Sequence, residues 1–503
     1  MNKTQTLTRN SLSSIGVSIS NNLVSVITLP YYLSTYGDTL WGIYLWVMAL
    51  SGMLTSFDLG IKSGLRRFVA RYTGHGRLEE LEVGLSISMV IVGSVALINF
   101  VVLILMSHGD SLGLEISPEF VDERSTALLL ASFYALSFWG RKVTEAILEG
   151  YQLYVTKNRI LFVSTVMYFA LYLVVQKLRL NFILFVGLSF FVKAIPFFLN
   201  LYVIRYKKLL QGVKINLRIK GIDLKTDFFR FSSDMFILAL LEMFVFKLDT
   251  LLIGGILSAA LITTYTVVTK PMFVIKTIDG FVFSALQPMI AREHARNNSS
   301  FLDKVIRTGA ELNFAIILPL CLLTILLLQP FLSLWVGDSY NDYIVWGKIA
   351  VLIYVFKPFF GIIVKFMVNT GVTREMKQIR FLTASINLIL SIVLSFYFSI
   401  GGVILGTLIS NFIGIPLYIL VGKNKLNLGF GDILSQRTVI NIIYLGFLYI
   451  LLTEIIIFNP GKSWVNFVIY ASITGVVSYA ISAYTLLKSS TTLRRWTISK
   501  LVK

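Results

Sequence analysis

The chain has 503 residues, of which 56% are apolar, 14% aromatic and 14% charged, with a mean hydropathy of +0.78. Soluble domains carry about 25% charged residues, so a water-soluble fold has too little polar surface here to cover its apolar content. Disorder, which needs low hydrophobicity and high charge, is excluded as well. The composition is that of a polytopic membrane protein.

A spanning helix needs about 20 largely apolar residues. On that measure the chain offers fourteen segments: 12–33, 40–60, 83–106, 125–148, 160–176, 180–203, 231–255, 259–286, 309–328, 343–368, 381–400, 403–421, 438–458 and 464–487. The first is long and no small-residue cleavage site follows it, so it is expected to span rather than to be a signal peptide. Cys321, the single cysteine, sits among Leu320, Leu322 and Leu323 as a core thiol and excludes an intramolecular disulfide. His75, His108 and His294 stand singly, without metal-ligand spacing.

Lysine and arginine concentrate in cytoplasmic loops. With the N-terminus inside, the loops on that side hold most of the 45 basic residues, and the outward loops hold only Arg124, Lys177, Arg179 and Lys462. Asp110, Glu115, Glu119, Asp122 and Glu123 crowd one outward loop instead. Both termini are therefore expected in the cytoplasm. Topology accounts for most of the net charge of +19, and no nucleic-acid partner is expected. The longest loop, 204–230, is shorter than the roughly 40 residues of a marginal domain. Gly461-Lys462-Ser463 lacks the upstream glycine of a phosphate-binding loop, and no other catalytic motif is present, so the chain is not expected to be an enzyme.

Laying Arg9 on Arg230 superposes several landmarks at equivalent positions. Asp58 then falls on Asp279, Ala70-Arg71 on Ala291-Arg292, Gly150 on Gly371 and Arg159 on Arg380. Six helices per repeat make the halves parallel repeats, a build that binds substrate between its halves. The expected organisation is an N-lobe over 1–212, a C-lobe over 213–430, and two further helices with a tail over 431–503.

An ionisable group at bilayer depth costs about 2.5–3.5 kcal/mol, so those that occur face a cavity or a partner. Lys193, Glu242, Lys270 and Lys357 lie near the middle of their segments, where reaching water is hardest. Three central lysines against one acid favour an anion such as a phosphate or diphosphate; the alternative is a buried ion pair between Glu242 and a lysine. Lys270-Pro271 and Lys357-Pro358 each set a central cation beside a proline that removes a helical hydrogen bond. Asp234, Glu242 and Asp249 share one helical face, a candidate site for a coupling Na⁺ or proton, and Lys247 points elsewhere. Lys276 and Asp279 are spaced to pair with each other. At the inner ends, Asp58, Arg66, Arg67 and Asp279 are candidates for a gate, or Asp58 for a loop-to-helix ion pair with the arginines.

Leu29-Pro30-Tyr31-Tyr32-Leu33, Tyr36-Gly37 and Trp41-Gly42-Ile43-Tyr44 resemble the polysaccharide-repeat-unit flippases. So does Phe57-Asp58-Leu59-Gly60-Ile61 leading into Arg66-Arg67-Phe68-Val69-Ala70-Arg71-Tyr72. These O-antigen and exopolysaccharide transporters belong to the multidrug/oligosaccharidyl-lipid/polysaccharide (MOP) exporter superfamily. The resemblance implies two six-helix lobes around a cavity, alternating access, and transfer of an undecaprenyl-diphosphate-linked oligosaccharide across a bacterial cytoplasmic membrane. It also places Lys247, Lys270 and Lys276 in the cavity and makes the two extra helices a groove for the lipid tail.

The leading expectation is thus a lipid-linked oligosaccharide flippase whose Lys270 and Lys357, helped by Lys193, Lys247 and Lys276, neutralise the diphosphate. It needs no cofactor beyond a coupling ion, and its partners are membrane lipid and a polymerase or glycosyltransferases. The rivals are a cation-coupled drug exporter of the same fold and a non-transporting scaffold for glycosyltransferases.

Overall fold

A computed structural model describes residues 3–54, 61–73, 78–109, 113–213, 248–295, 299–370, 372–426, 436–455 and 463–489. Asp58, Asp234, Glu242 and Lys247 lie outside these residues. Among the described residues the elements are helices, with two short 3₁₀ turns and no strand. The chain divides into two compact units, Met1–Thr263 and Thr264–Lys503.

The first unit holds α1 (Lys3–Leu54), α2 (Ile61–Thr73), α3 (Leu78–His108), α4 (Val121–Gly150), α5 (Tyr154–Leu178), α6 (Phe182–Tyr206) and α7 (Leu248–Ile256). Helix α1 takes in the first predicted segment and residues 40–54 of the second. It is broken at Gly37, whose φ of 73° leaves helical geometry and suits a residue without Cβ. Tyr32 and Trp41 would stand about 13 Å apart along a straight helix, yet their rings stack at 5.0 Å, so the chain reverses at this glycine. The aromatic residues of the flippase-like motif supply the surrounding core. Tyr32 also packs on Phe185 at 4.7 Å, and Tyr36 on Phe185 at 5.2 Å. The hydroxyl of Tyr36 donates to the Leu180 carbonyl (3.0 Å), fastening α1 to the turn between α5 and α6.

Helix α2 is an element the apolar-run measure misses. It is short and amphipathic: Leu65, Phe68 and Val69 are buried against Leu81, Leu85, Trp139 and Ile147, and Arg66, Arg67 and Arg71 are exposed.

The second unit holds most of α8 (Ala259–Ala295), then α9 (Ser299–Trp335), α10 (Ile344–Phe356), α11 (Pro358–Thr370), α12 (Thr373–Phe398), α13 (Ile400–Leu426), α14 (Gln436–Ile455) and α15 (Trp464–Ser489). The predicted segment 343–368 is split at Lys357-Pro358, where proline has no N–H to continue the ladder. Helix α8 runs unbroken through Pro271. Across both units, eight described helices are long and apolar enough to cross a membrane, and Phe198, Phe396, Tyr397 and Val476 stand exposed on such helices as lipid-facing residues do. The molecule is a multi-pass, all-α membrane protein.

Helices α12 and α13 meet backbone to backbone. A Cβ on Gly402 would fall on the Leu394 carbonyl, and Ser391 lies as close to Gly406, so small residues four apart let the helices touch. Buried Asn387 donates to Thr407 (2.9 Å) in the same seam. Gly402→Leu is therefore expected to part the helices and cost about 1–3 kcal/mol, as overpacking does. Gly446→Ala on α14, where a Cβ meets nothing within 4 Å, should leave the melting temperature in detergent unchanged or raised.

Candidate functional site

The second unit brings together two residues to which the sequence gives different roles. The Lys357 ammonium lies 3.0 Å from Asp279 Oδ2. Asn313, on α9, donates its amide N–H to Asp279 Oδ1 (3.2 Å). Asp279 is 1% exposed and Asn313 0%, and the Asn313 side-chain oxygen is buried without a hydrogen-bond partner. The break at Pro358 places Lys357 where α10 gives way to α11, and its ammonium rests over the Tyr354 ring at 4.8 Å. Helix α8 supplies the carboxylate, and α9 holds one of its oxygens. The cluster is an ion pair with a buried carboxylate and a partly exposed lysine, and one acceptor beside it is left without a partner.

Lys270 sits half-buried on the same helix as Asp279, between Pro271 and the fully buried Thr269. Lys276 lies over the Phe273 ring at 5.9 Å.

In the first unit Lys193 is enclosed by aromatic side chains. Its ammonium donates to the Tyr44 hydroxyl, stands over the rings of Tyr44 (4.9 Å) and Tyr168 (5.0 Å), and reaches Met48 Sδ at 3.8 Å. Three helices, α1, α5 and α6, converge on this one charge, and the cation–π contacts offset its desolvation. Asp249, at the start of α7, is 2% exposed.

Arg66, predicted at the inner gate, belongs to a charge cluster that gathers α2, α4 and α5. Arg66 pairs with Glu149 (3.2 Å), Lys157 with Glu149 (3.0 Å) and Lys62 with Glu145 (2.5 Å), and Lys62 also lies 3.5 Å from Glu149. Arg141 is 3.5 Å from Glu145. Arg67 is exposed on α2. Burial works against the Lys62 charge, but the two glutamates outweigh it and hold the lysine pKa above its ordinary value. Glu149, Lys62 and Lys157 were missed from sequence, although a signal existed: Lys62 and Arg66 share a helix face at i, i+4, as do Glu145 and Glu149. Glu149→Gln removes the partner of three cations at once. It is expected to lower stability by about 1.5–3 kcal/mol, the worth of a charged hydrogen bond, read as a fall in melting temperature in detergent.

The last two described helices enclose a groove of about 660 Å³ lined by apolar side chains and tyrosines, among them Tyr444, Phe447, Leu451, Val476 and Tyr484. Helix α15 is fastened to α9 by the Tyr479 hydroxyl, which donates to the Ile316 carbonyl (3.1 Å), and by Trp464 and Phe467 against Phe331.

Residues 162–345 match the family model described as polysaccharide biosynthesis protein. None of the curated proteins matches the sequence. Among solved structures, the lipid II flippase MurJ in an inward closed conformation is 14% identical, with a TM-score of 0.73 over 95% of this chain and 99% of its own. The MATE multidrug transporter DinF-BH, in a ligand-bound structure, is 16% identical, with a TM-score of 0.63 over 84% of this chain and 96% of its own. An inward-facing multidrug resistance MATE transporter of the MOP superfamily is 14% identical, with a TM-score of 0.62 over 82% of this chain and 98% of its own. Over residues 162–345 this chain matches the polysaccharide biosynthesis family model, and its fold is the one seen in the lipid II flippase and MATE transporter structures.

Proposed function

We propose that the protein flips an undecaprenyl-diphosphate-linked oligosaccharide from the cytoplasmic to the outer leaflet of a bacterial cytoplasmic membrane, by alternating access coupled to an ion gradient, for polysaccharide synthesis. The observation that carries this is the apolar groove between α14 and α15. A long polyprenyl tail needs an apolar surface continuous with lipid, whereas a soluble drug does not.

In this account Lys270, Lys357, Lys193, Lys247 and Lys276 neutralise the diphosphate, and Asp234, Glu242 and Asp249 hold the coupling ion. Asp58, Arg66, Arg67 and Asp279 close the inner side, with both termini in the cytoplasm and the lobes spanning 1–212 and 213–430. Lys357 must leave Asp279 to meet the substrate, and Lys193 must leave its aromatic enclosure. A scaffold would have no use for these lysines.

In cells lacking the protein, the lipid-linked oligosaccharide is expected to accumulate with its glycan protected from a membrane-impermeant oxidant added to spheroplasts. Re-expression should restore accessibility. Equal accessibility in both strains would refute the proposal.

A further inference from the structure

We propose that the end of α6 and the turn after it hold the headgroup of an anionic phospholipid, a resident lipid of the membrane rather than cargo. Arg205, Lys207 and Lys208 stand exposed there, close together in the chain. Among the described residues no acidic side chain pairs with any of the three. Other cations of this unit are matched: Lys62, Arg66 and Lys157 meet Glu145 or Glu149. Carboxylates are supplied where helices are joined to one another and withheld at the end of α6.

Capping does not account for these charges. Cations are favoured near a helix C-terminus, but the carbonyls of Val203, Ile204 and Arg205 already accept from the backbone N–H groups of Lys207, Leu209 and Lys208. Lys208 has a φ of 50°, where the chain turns away from the helix. Leu209, Leu210 and Val213 then pack against the core around Trp139, and the Tyr151 hydroxyl donates to the Leu209 carbonyl. The three cations therefore sit on a fixed frame and not on a loose tail.

The acyl chains of such a lipid have a place as well. Phe191, Phe198, Tyr202 and Tyr206 are exposed and fall on one face of α6. Phe191 to Tyr202 covers about 16 Å of helix, one leaflet's share of a hydrocarbon core about 30 Å thick. Tyr202 and Tyr206 stack at 5.9 Å where this stripe meets the cations. Phenyl rings give way to tyrosines and then to cations, in the order in which acyl chains give way to a glycerol backbone and a phosphodiester. Tyrosine belongs at that boundary, since its ring is apolar and its hydroxyl polar. A free phosphate would meet the cations and leave the stripe unused. The charge distribution predicts this end of α6 on the cytoplasmic side, where the leaflet carries the anionic lipids. The site does not depend on what the protein transports.

The test uses the full-length protein in a neutral detergent, titrated with phosphatidylglycerol or phosphatidylcholine and read by native mass spectrometry. The parent is expected to prefer phosphatidylglycerol, and to bind it less tightly as NaCl rises. Replacing Arg205, Lys207 and Lys208 together by glutamine should weaken phosphatidylglycerol binding by about tenfold or more and leave phosphatidylcholine binding unchanged. Glycerophosphoglycerol, the same headgroup without acyl chains, should not compete. Equal binding of the two lipids by the parent, or a triple variant that keeps the preference, overturns the proposal. Full competition by glycerophosphoglycerol would mark a free-anion site and overturn the lipid assignment. Undecaprenyl diphosphate binding more tightly than phosphatidylglycerol, and lost in the same variant, would assign the patch to cargo and overturn it too. Should the triple variant not fold, Lys207→Gln with Lys208→Gln, which leaves α6 itself intact, decides by the same comparison.

Discussion

Replacing Lys357 by methionine is expected to destabilise the protein by about 3 kcal/mol, and adding Asp279→Asn should recover most of that loss. Taking the ammonium away leaves the Asp279 carboxylate, 1% exposed, with a single neutral donor from Asn313. Uncompensated charge at that burial is among the costliest defects a mutation makes, whereas removing both charges exchanges an ion pair for neutral groups of similar volume. The quantity to measure is the coupling between the two substitutions from denaturation of the four proteins. Additive losses would mean that the two charges do not depend on each other.

Lys270→Ala is expected to lower lipid transport at least tenfold without lowering the amount of protein in the membrane. A charge-assisted contact to phosphate is worth about 1.5–3 kcal/mol, one to two powers of ten in rate. Lys270 is half-buried on α8 beside Pro271, at a depth where a charge is costly and is kept for a function. Lys270→Arg keeps the charge and should retain part of the rate, although a planar fork does not replace a compact ammonium. Transport should be scored in proteoliposomes matched for protein content. A normal rate from well-inserted Lys270→Ala would remove this residue from substrate binding.

The spanning helices were legible because lipid leaves one sequence solution, a long apolar run with its backbone satisfied internally. Segments such as 83–106 and 180–203 therefore fall within α3 and α6 or within two residues of their ends. Helix α2 was not legible by that measure, because it buries Leu65, Phe68 and Val69 on one side while arginines cover the other. The proline after Lys357 marked the break between α10 and α11, yet Pro271 left α8 continuous, since neighbouring groups in a membrane protein can take up the freed carbonyl.

Pairings across helices were the hardest part. Asp279 and Lys276 share a helix at a spacing that suggests a pair, but Lys357 reaches Asp279 from elsewhere in the chain, and Asn313 is recognised as a partner only beside that carboxylate. Nothing in the sequence signals that Tyr44 and Tyr168 enclose Lys193 in this conformation. Tyr32, Tyr36 and Trp41 of the flippase-like motif pack around Phe185.

The most direct test of the central claim is movement of a lipid-diphosphate-linked oligosaccharide between leaflets of liposomes containing the purified protein. It should be followed with and without an imposed Na⁺ or proton gradient. Gradient-dependent movement that Lys270→Ala abolishes is the expected result. Failure of a folded, correctly inserted protein to move any of several such lipids, together with efflux of organic cations, would contradict it.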